Sequence, residues 1–240
     1  MRKTETYAQW AAQTPLVERA RQRVRDTIIR GLAIGKNIDG SSNWIRFPFY
    51  HHVFEDERTN FSMQLKYLQN FGEFISLDDA HSLISGQNII NGRYFCLTLD
   101  DGLKSCISGA LPILSELSIP AVFYIVSAMI GKSFEPENRV AKEVFNFKGR
   151  GTTLDFLSWE DCLKLVQAGM TIGSHTVNHA RLGDLADNQA LDELSVSKSE
   201  IEKNIGRPCD HFCAPYGNPK IDFDIAHHGA MARSVGYKTF

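Results

Sequence analysis

Tyr94-Phe95-Cys96-Leu97-Thr98-Leu99-Asp100-Asp101-Gly102 is an apolar run that ends in two adjacent carboxylates and a glycine. Tyr94 to Leu99 reads as a buried strand. A second apolar stretch, Met170-Thr171-Ile172-Gly173, also reads as a strand. It delivers Ser174-His175-Thr176-Val177-Asn178-His179, with two histidines four residues apart. One Asp and two His would give a divalent metal three protein ligands and leave a position open for water and substrate. The other Asp of the pair would be free to act as a base on that water.

Working outward, strand-like and helix-like segments alternate. Arg46 to His51 is a short apolar run that ends in His51-His52. Helix spacing follows over Ser62 to Phe71, and Ser76-Leu77-Asp78-Asp79 opens another helix with a capping box. Leu111 to Leu117 is helical until Ile119-Pro120, and Ala121 to Val126 is a further buried strand. Ser158-Trp159-Glu160-Asp161 caps a helix that stops at Gly169. Asp187 to Asn204 is a polar amphipathic helix with Leu191, Leu194, Ile201 and Ile205 on its apolar side. His211 to Ala214 reads as a fourth strand and Val235 to Phe240 as the opening of a fifth. Alternation of this kind implies an α/β protein with a parallel sheet, open or closed into a barrel. Ligands bind such sheets at the carboxyl ends of the strands. Asp100, His175 and Pro215-Tyr216 all sit just past such ends. Residues 132–156 form a long insertion suited to a pocket rim.

The chain has 240 residues, a formal net charge of -2 and 43% hydrophobic residues. That is ordinary for a globular enzyme and gives no bulk electrostatic reason for a nucleic-acid partner. Five cysteines with no CxxC pair argue against a disulfide framework or a thiolate zinc site. No run of 18 apolar residues predicts a membrane span, and the start is too polar for a signal peptide. A cytoplasmic protein is the expectation. Residues 1–43 read as a helical extension ahead of a main domain over residues 44–240. Leu16, Ala20, Val24 and Ile28 make one helical face, with Arg19, Arg21, Arg23, Arg25 and Arg30 around it. The expected seat is the surface of the main domain, with an anionic membrane surface as the alternative.

Thr98 to Gly102 resembles the first motif (TFDDG) of the NodB-type polysaccharide deacetylases. Ser174-His175 through His179 is similar to their second, HxxxH, and Phe212-Cys213-Ala214-Pro215-Tyr216-Gly217 to their third. The opening Tyr50-His51 is similar to a subgroup that begins with a YH strand. Taken singly each motif is weak, since Asp-Asp-Gly is usually a turn and Pro-Tyr-Gly usually a loop. Three in order, on strand ends, carry the resemblance over Phe47 to Phe240.

The resemblance implies a deformed (β/α) barrel of the NodB-homology type with an N-terminal helical appendage. It implies a carbohydrate esterase that removes an N-acyl group, most often acetyl, from an amino sugar or polysaccharide. It makes Asp100 the general base, and Asp101, His175 and His179 the ligands of a divalent metal, zinc first, with Co, Ni and Fe open. The backbone N–H of Tyr216 would hold the oxyanion, Pro215 would fix that backbone against the substrate, and Thr98 and Ser174 would orient the site.

Two departures shape the expectation. The family's third motif often begins with Arg, and here that position holds Cys213 or Ala214, which should leave Asp100 with a higher pKa. The family's later leucine–His motif, whose His acts as general acid, has no counterpart before Phe240, so the expected domain stops short of its last strands. His51 or His52 is the candidate substitute, while His227 and His228 read as helix-surface residues. The alternatives are a catalytically impaired carbohydrate-binding domain, and a deformylase or other amide hydrolase on the same scaffold.

Overall fold

A computed structural model describes residues 2–11, 43–86, 90–147, 149 and 151–240. The strands are β1 (Arg2–Lys3), β2 (Trp44–Arg46), β3 (Phe49–Tyr50), β4 (Glu73–Phe74) and β5 (Arg93–Phe95). They continue with β6 (Leu97–Leu99), β7 (Ala121–Ile125), β8 (Ser133–Phe134), β9 (Thr152–Asp155) and β10 (Thr171–Ser174).

β2 and β3 run parallel to β5 and β6 in one unbroken register, from Trp44 opposite Arg93 to Tyr50 opposite Leu99. Pro48 has no N–H to give, yet its carbonyl still accepts from Thr98 N at 3.1 Å, so the pairing survives the break. On the other edge, β4 pairs with β5 and β7 with β6, and β10 lies parallel beyond β7. The sheet goes on by single bridges, Ser174 to Phe212 and His211 to Thr239. The expected fourth strand is thus reduced to bridges at His211 and Phe212. Of the expected fifth, Val235 closes the helix Ile225–Val235, Gly236 turns left-handed at φ +99°, and Thr239 makes the bridge.

Side chains alternate between two apolar environments. Leu97, Leu99, Phe123, Ile125 and Ile172 face the helices in the main core, together with Phe61, Leu65, Leu114, Leu165, Leu194 and Ile201. Cys96, Val122 and Tyr124 point the other way, into a smaller cluster with Leu77 and Ala80. Parallel strands covered on both faces are apolar throughout for this reason. The helix Asp187–Ile205 buries Leu194, Ile201 and Ile205 as expected, but Leu191 is exposed. Ser76 Oγ accepts from Asp79 N, and Ser158 and Asp161 close the expected capping box.

The insertion carries β8 and β9, which pair antiparallel. β9 also pairs with β1, so the first residues belong to the same small sheet. Trp10 packs against a third cluster built from Leu103, Val126, Met129, Ala141, Phe147, Leu154 and Phe156. Residues 2–11 are therefore stitched to the main body, while the expected Leu16–Ile28 stripe falls outside the described residues. No described helix is long and apolar enough to cross a membrane.

One contact predicts a large stability effect. A Cβ on Gly109 would come within 1.7 Å of the Val53 carbonyl oxygen, which is backbone and cannot swing aside. Gly109→Ala is expected to destabilise the chain by about 3 kcal/mol or more, the upper end of core overpacking, read as a fall in urea midpoint at unchanged slope.

Candidate active site

The sharp turn after β6 brings the carboxylates into the site. Asp101 and Gly102 both have left-handed backbones, at φ +70° and +73°. Asp tolerates that region better than most residues, and Gly is free of its cost. Asp100 N bonds the Tyr50 carbonyl at 2.9 Å, which extends the β3–β6 ladder to the first carboxylate. Asp101 is buried and turns toward the end of β10.

There it meets both imidazoles. Asp101 Oδ1 lies 3.6 Å from His175 Nε2 and 3.2 Å from His179 Nε2. Ligand atoms of the three residues all fall within 4.8 Å of one another. The histidines are not one helical turn apart. They stand on a loop in which Thr176 and His179 are left-handed, at φ +67° and +59°. Non-glycine residues held there cost on the order of 1–3 kcal/mol each, a strain typical of functional sites.

The protonation states suit metal ligation. His175 Nδ1 stands 2.7 Å from the Cys213 carbonyl oxygen. A carbonyl can only accept, so Nδ1 carries the hydrogen and Nε2 turns its lone pair inward. Burial, opposed by Asp101, pushes the His175 pKa down to about 4, so the ring is neutral. Burial works against ionisation of Asp101, but its contact with His179 and the electrostatic attraction of the surrounding imidazoles outweigh it, and its pKa is lowered. Asp101 Oδ1 and His179 Nδ1 are buried without a hydrogen-bond partner. A buried carboxylate oxygen facing two imidazole nitrogens, at 3.6 and 3.2 Å, fits a divalent cation at their centre.

Asp100 stands apart from this triad. Burial first, then repulsion from Asp101, pushes its carboxyl up to about 6, against the pull of His51, His179 and a Thr98 hydrogen bond. Its Oδ1 is also buried and unpartnered. Both carboxylates, both imidazoles and His51 line one open cavity of about 1200 Å³. Phe145 from the insertion and Tyr216 flank the His179 ring, at 5.1 and 4.8 Å between centroids.

Other expected residues sit differently. Tyr216 lines the cavity, half-exposed, with a left-handed backbone at φ +69° under the Arg181 guanidinium. Pro215 is buried, and the wall beside it is made by Ala214, Tyr216 and Gly217. Ser174 bonds Ser197 Oγ at 2.7 Å on the helix side of β10, so it does not reach the cavity. His51 and His52, which follow the end of β3, part company. His52 is packed against Trp10 and Phe54, bonded to Ser105 Oγ and held neutral by burial, with its pKa down to about 3. His228 is buried and accepts from Asp224 N, which corrects its surface reading; His227 is exposed as expected.

Comparison with known proteins bears on the family and the fold. The curated Bacillus subtilis (strain 168) protein YxkH, whose name assigns it provisionally to the polysaccharide deacetylases, is 21% identical over 183 residues. The match covers 70% of this chain and 58% of that protein's length. The solved structure of IcaB from Ammonifex degensii superposes with a TM-score of 0.65 at 21% identity, over 81% of this chain and 82% of that one. Streptococcus pyogenes deacetylase PplD in complex with acetate gives 0.59 at 21% identity, over 81% and 80%. These likenesses establish the deformed barrel. The polysaccharide deacetylase family profile matches residues 89–239, from the strand before the paired carboxylates to the last bridge of the sheet, and the chain belongs to that family.

Proposed function

We propose that the chain is a metal-dependent hydrolase that removes an N-acyl group, acetyl first, from an amino sugar of a polysaccharide or its precursor. The observation that carries this reading is the convergence of Asp101, His175 and His179 beside a separate buried carboxylate, Asp100, in one cavity. A divalent metal held by those three side chains, zinc being the ion best suited to them, would polarise the acyl carbonyl and acidify water.

The chain's own groups divide the remaining work. Asp100 takes the proton of the attacking water, a task its raised pKa supports because a stronger base accepts more readily. Thr98, on β6 two residues before that carboxylate, lines the same cavity. The Tyr216 N–H donates to the oxygen that gains charge in the tetrahedral intermediate. His51, which shares the cavity with Asp100, donates the proton that the departing amine needs.

The test is acetate release from N-acetylglucosamine oligomers by protein stripped with chelator and reloaded with zinc. Release that vanishes on stripping and returns on reloading is the expected result. Saturable binding of the oligomers by reloaded protein, with no acetate, would replace the hydrolase with a carbohydrate-binding domain. Cys213 and Ala214, standing where the family often has Arg, are what favour that second reading.

A further inference from the structure

We propose that Glu193 is a positioning residue that holds the His175–His179 loop in the shape required for metal binding. This rests on the metal-site reading above. Glu193 stands on the helix Asp187–Ile205, behind the loop as seen from the cavity. Its Oε2 accepts from the N–H groups of both Val177 and Asn178, at 2.8 and 2.9 Å. Its Oε1 accepts from Asn178 Nδ2 at 2.7 Å. Both oxygens are taken up by the loop, so Glu193 is a brace and not a fourth ligand.

The helix presents a polar seam to the loop at helical spacing, Glu193, Ser197 and Glu200. Ser197 bonds Ser174, the residue before His175. Glu200 accepts from Ser127 Oγ at 2.5 Å, and Ser127 N in turn donates to the Thr176 carbonyl at 3.2 Å. Ala128 N donates to the Val177 carbonyl at 3.0 Å, and Ala180 N to Thr176 Oγ1 at 3.0 Å. The Thr176 and Val177 carbonyls are thus held from the β7 side, and the Val177 and Asn178 N–H groups from the helix side. The two peptides midway between the imidazoles, Thr176–Val177 and Val177–Asn178, are held at their carbonyls by Ser127 N and Ala128 N and at their N–H groups by Glu193. The Glu193 bonds are charge-assisted, which makes them stronger than the backbone tethers on the opposite side. Removing them leaves those two peptides held at their carbonyls alone, which loosens the left-handed turns at Thr176 and His179 and with them the separation of the two Nε2 atoms.

The experiment uses the full chain and Zn2+ alone, with affinity read by competition against a chromophoric chelator. The variants are Glu193→Gln and Glu193→Ala, with the exposed neighbour Asp192→Asn as the charge control. Glu193→Ala is expected to bind zinc roughly 10- to 100-fold more weakly, the scale seen when ligand-orienting partners are lost, and Glu193→Gln, whose amide oxygen can still accept from both N–H groups, to fall between it and the parent chain. Glu193→Gln keeps the side chain's size, so its metal-free melting temperature should stay with that of Asp192→Asn. Its KM for acetylated oligomers at saturating zinc should match the parent chain. Zinc affinity in Glu193→Ala within twofold of the parent would overturn the proposal. So would a loss of affinity that merely follows a fall in metal-free melting temperature. A parent chain that binds no zinc overturns the metal-site reading instead, so the two failures are distinct.

Discussion

Asp100→Asn is expected to lower acetate release from N-acetylglucosamine oligomers by about 100- to 10,000-fold, the range for loss of a general base. Zinc content should stay at that of the parent chain, because Asp101, and not Asp100, shares space with the imidazoles. The amide is isosteric with the carboxylate and sits at a buried position, so packing is preserved. It removes the negative charge that lies closest in sequence to Asp101, which relieves repulsion within the site. Folding stability therefore should not fall, and lost turnover cannot be blamed on unfolding. Retention of more than a tenth of the parent rate would remove Asp100 from the role of base.

His175→Ala is expected to take bound zinc from about one ion per chain to near zero in elemental analysis, and to abolish acetate release with it. Two protein ligands are left where tetrahedral zinc sites use three or four. The substitution also removes the partner of the Cys213 carbonyl and opens a void in a buried site. Those losses cost on the order of 1–3 kcal/mol each, so the variant should melt lower even without metal. Its circular dichroism at room temperature should still match the parent. A folded His175→Ala chain with full zinc content would mean the ion is held elsewhere.

The parts of this molecule legible from residue order are those written in local periodicity. Tyr94 to Leu99 and Met170 to Gly173 read as strands because both of their faces are apolar, and they are apolar because one side meets helices and the other the barrel interior. Asp100 and His175 could then be placed at strand ends. Spacing alone could not say which aspartate faces the imidazoles, since the answer lies in two successive left-handed residues, Asp101 and Gly102. The same blindness covered His51 against His52, and Ser174, where a one-residue step decides the face. Glu193 was missed for another reason. Its partners are backbone N–H groups 15 and 16 residues away, which leave no trace in side-chain pattern. The one available signal was the polar seam of Glu193, Ser197 and Glu200 along a helix otherwise read for its leucines and isoleucines.

The pairing of Arg2–Lys3 with Thr152–Asp155 has a practical outcome for handling the protein. Clipping the chain after Ala11 would bare one flank of a short ribbon whose opposite flank carries Ser133–Phe134. It would also strip the indole of Trp10 from Phe147, His52 and Phe54. An uncovered ribbon beside greasy rings is a template for chain-to-chain stacking. Nicked material should therefore clump in storage well before its catalytic centre is damaged.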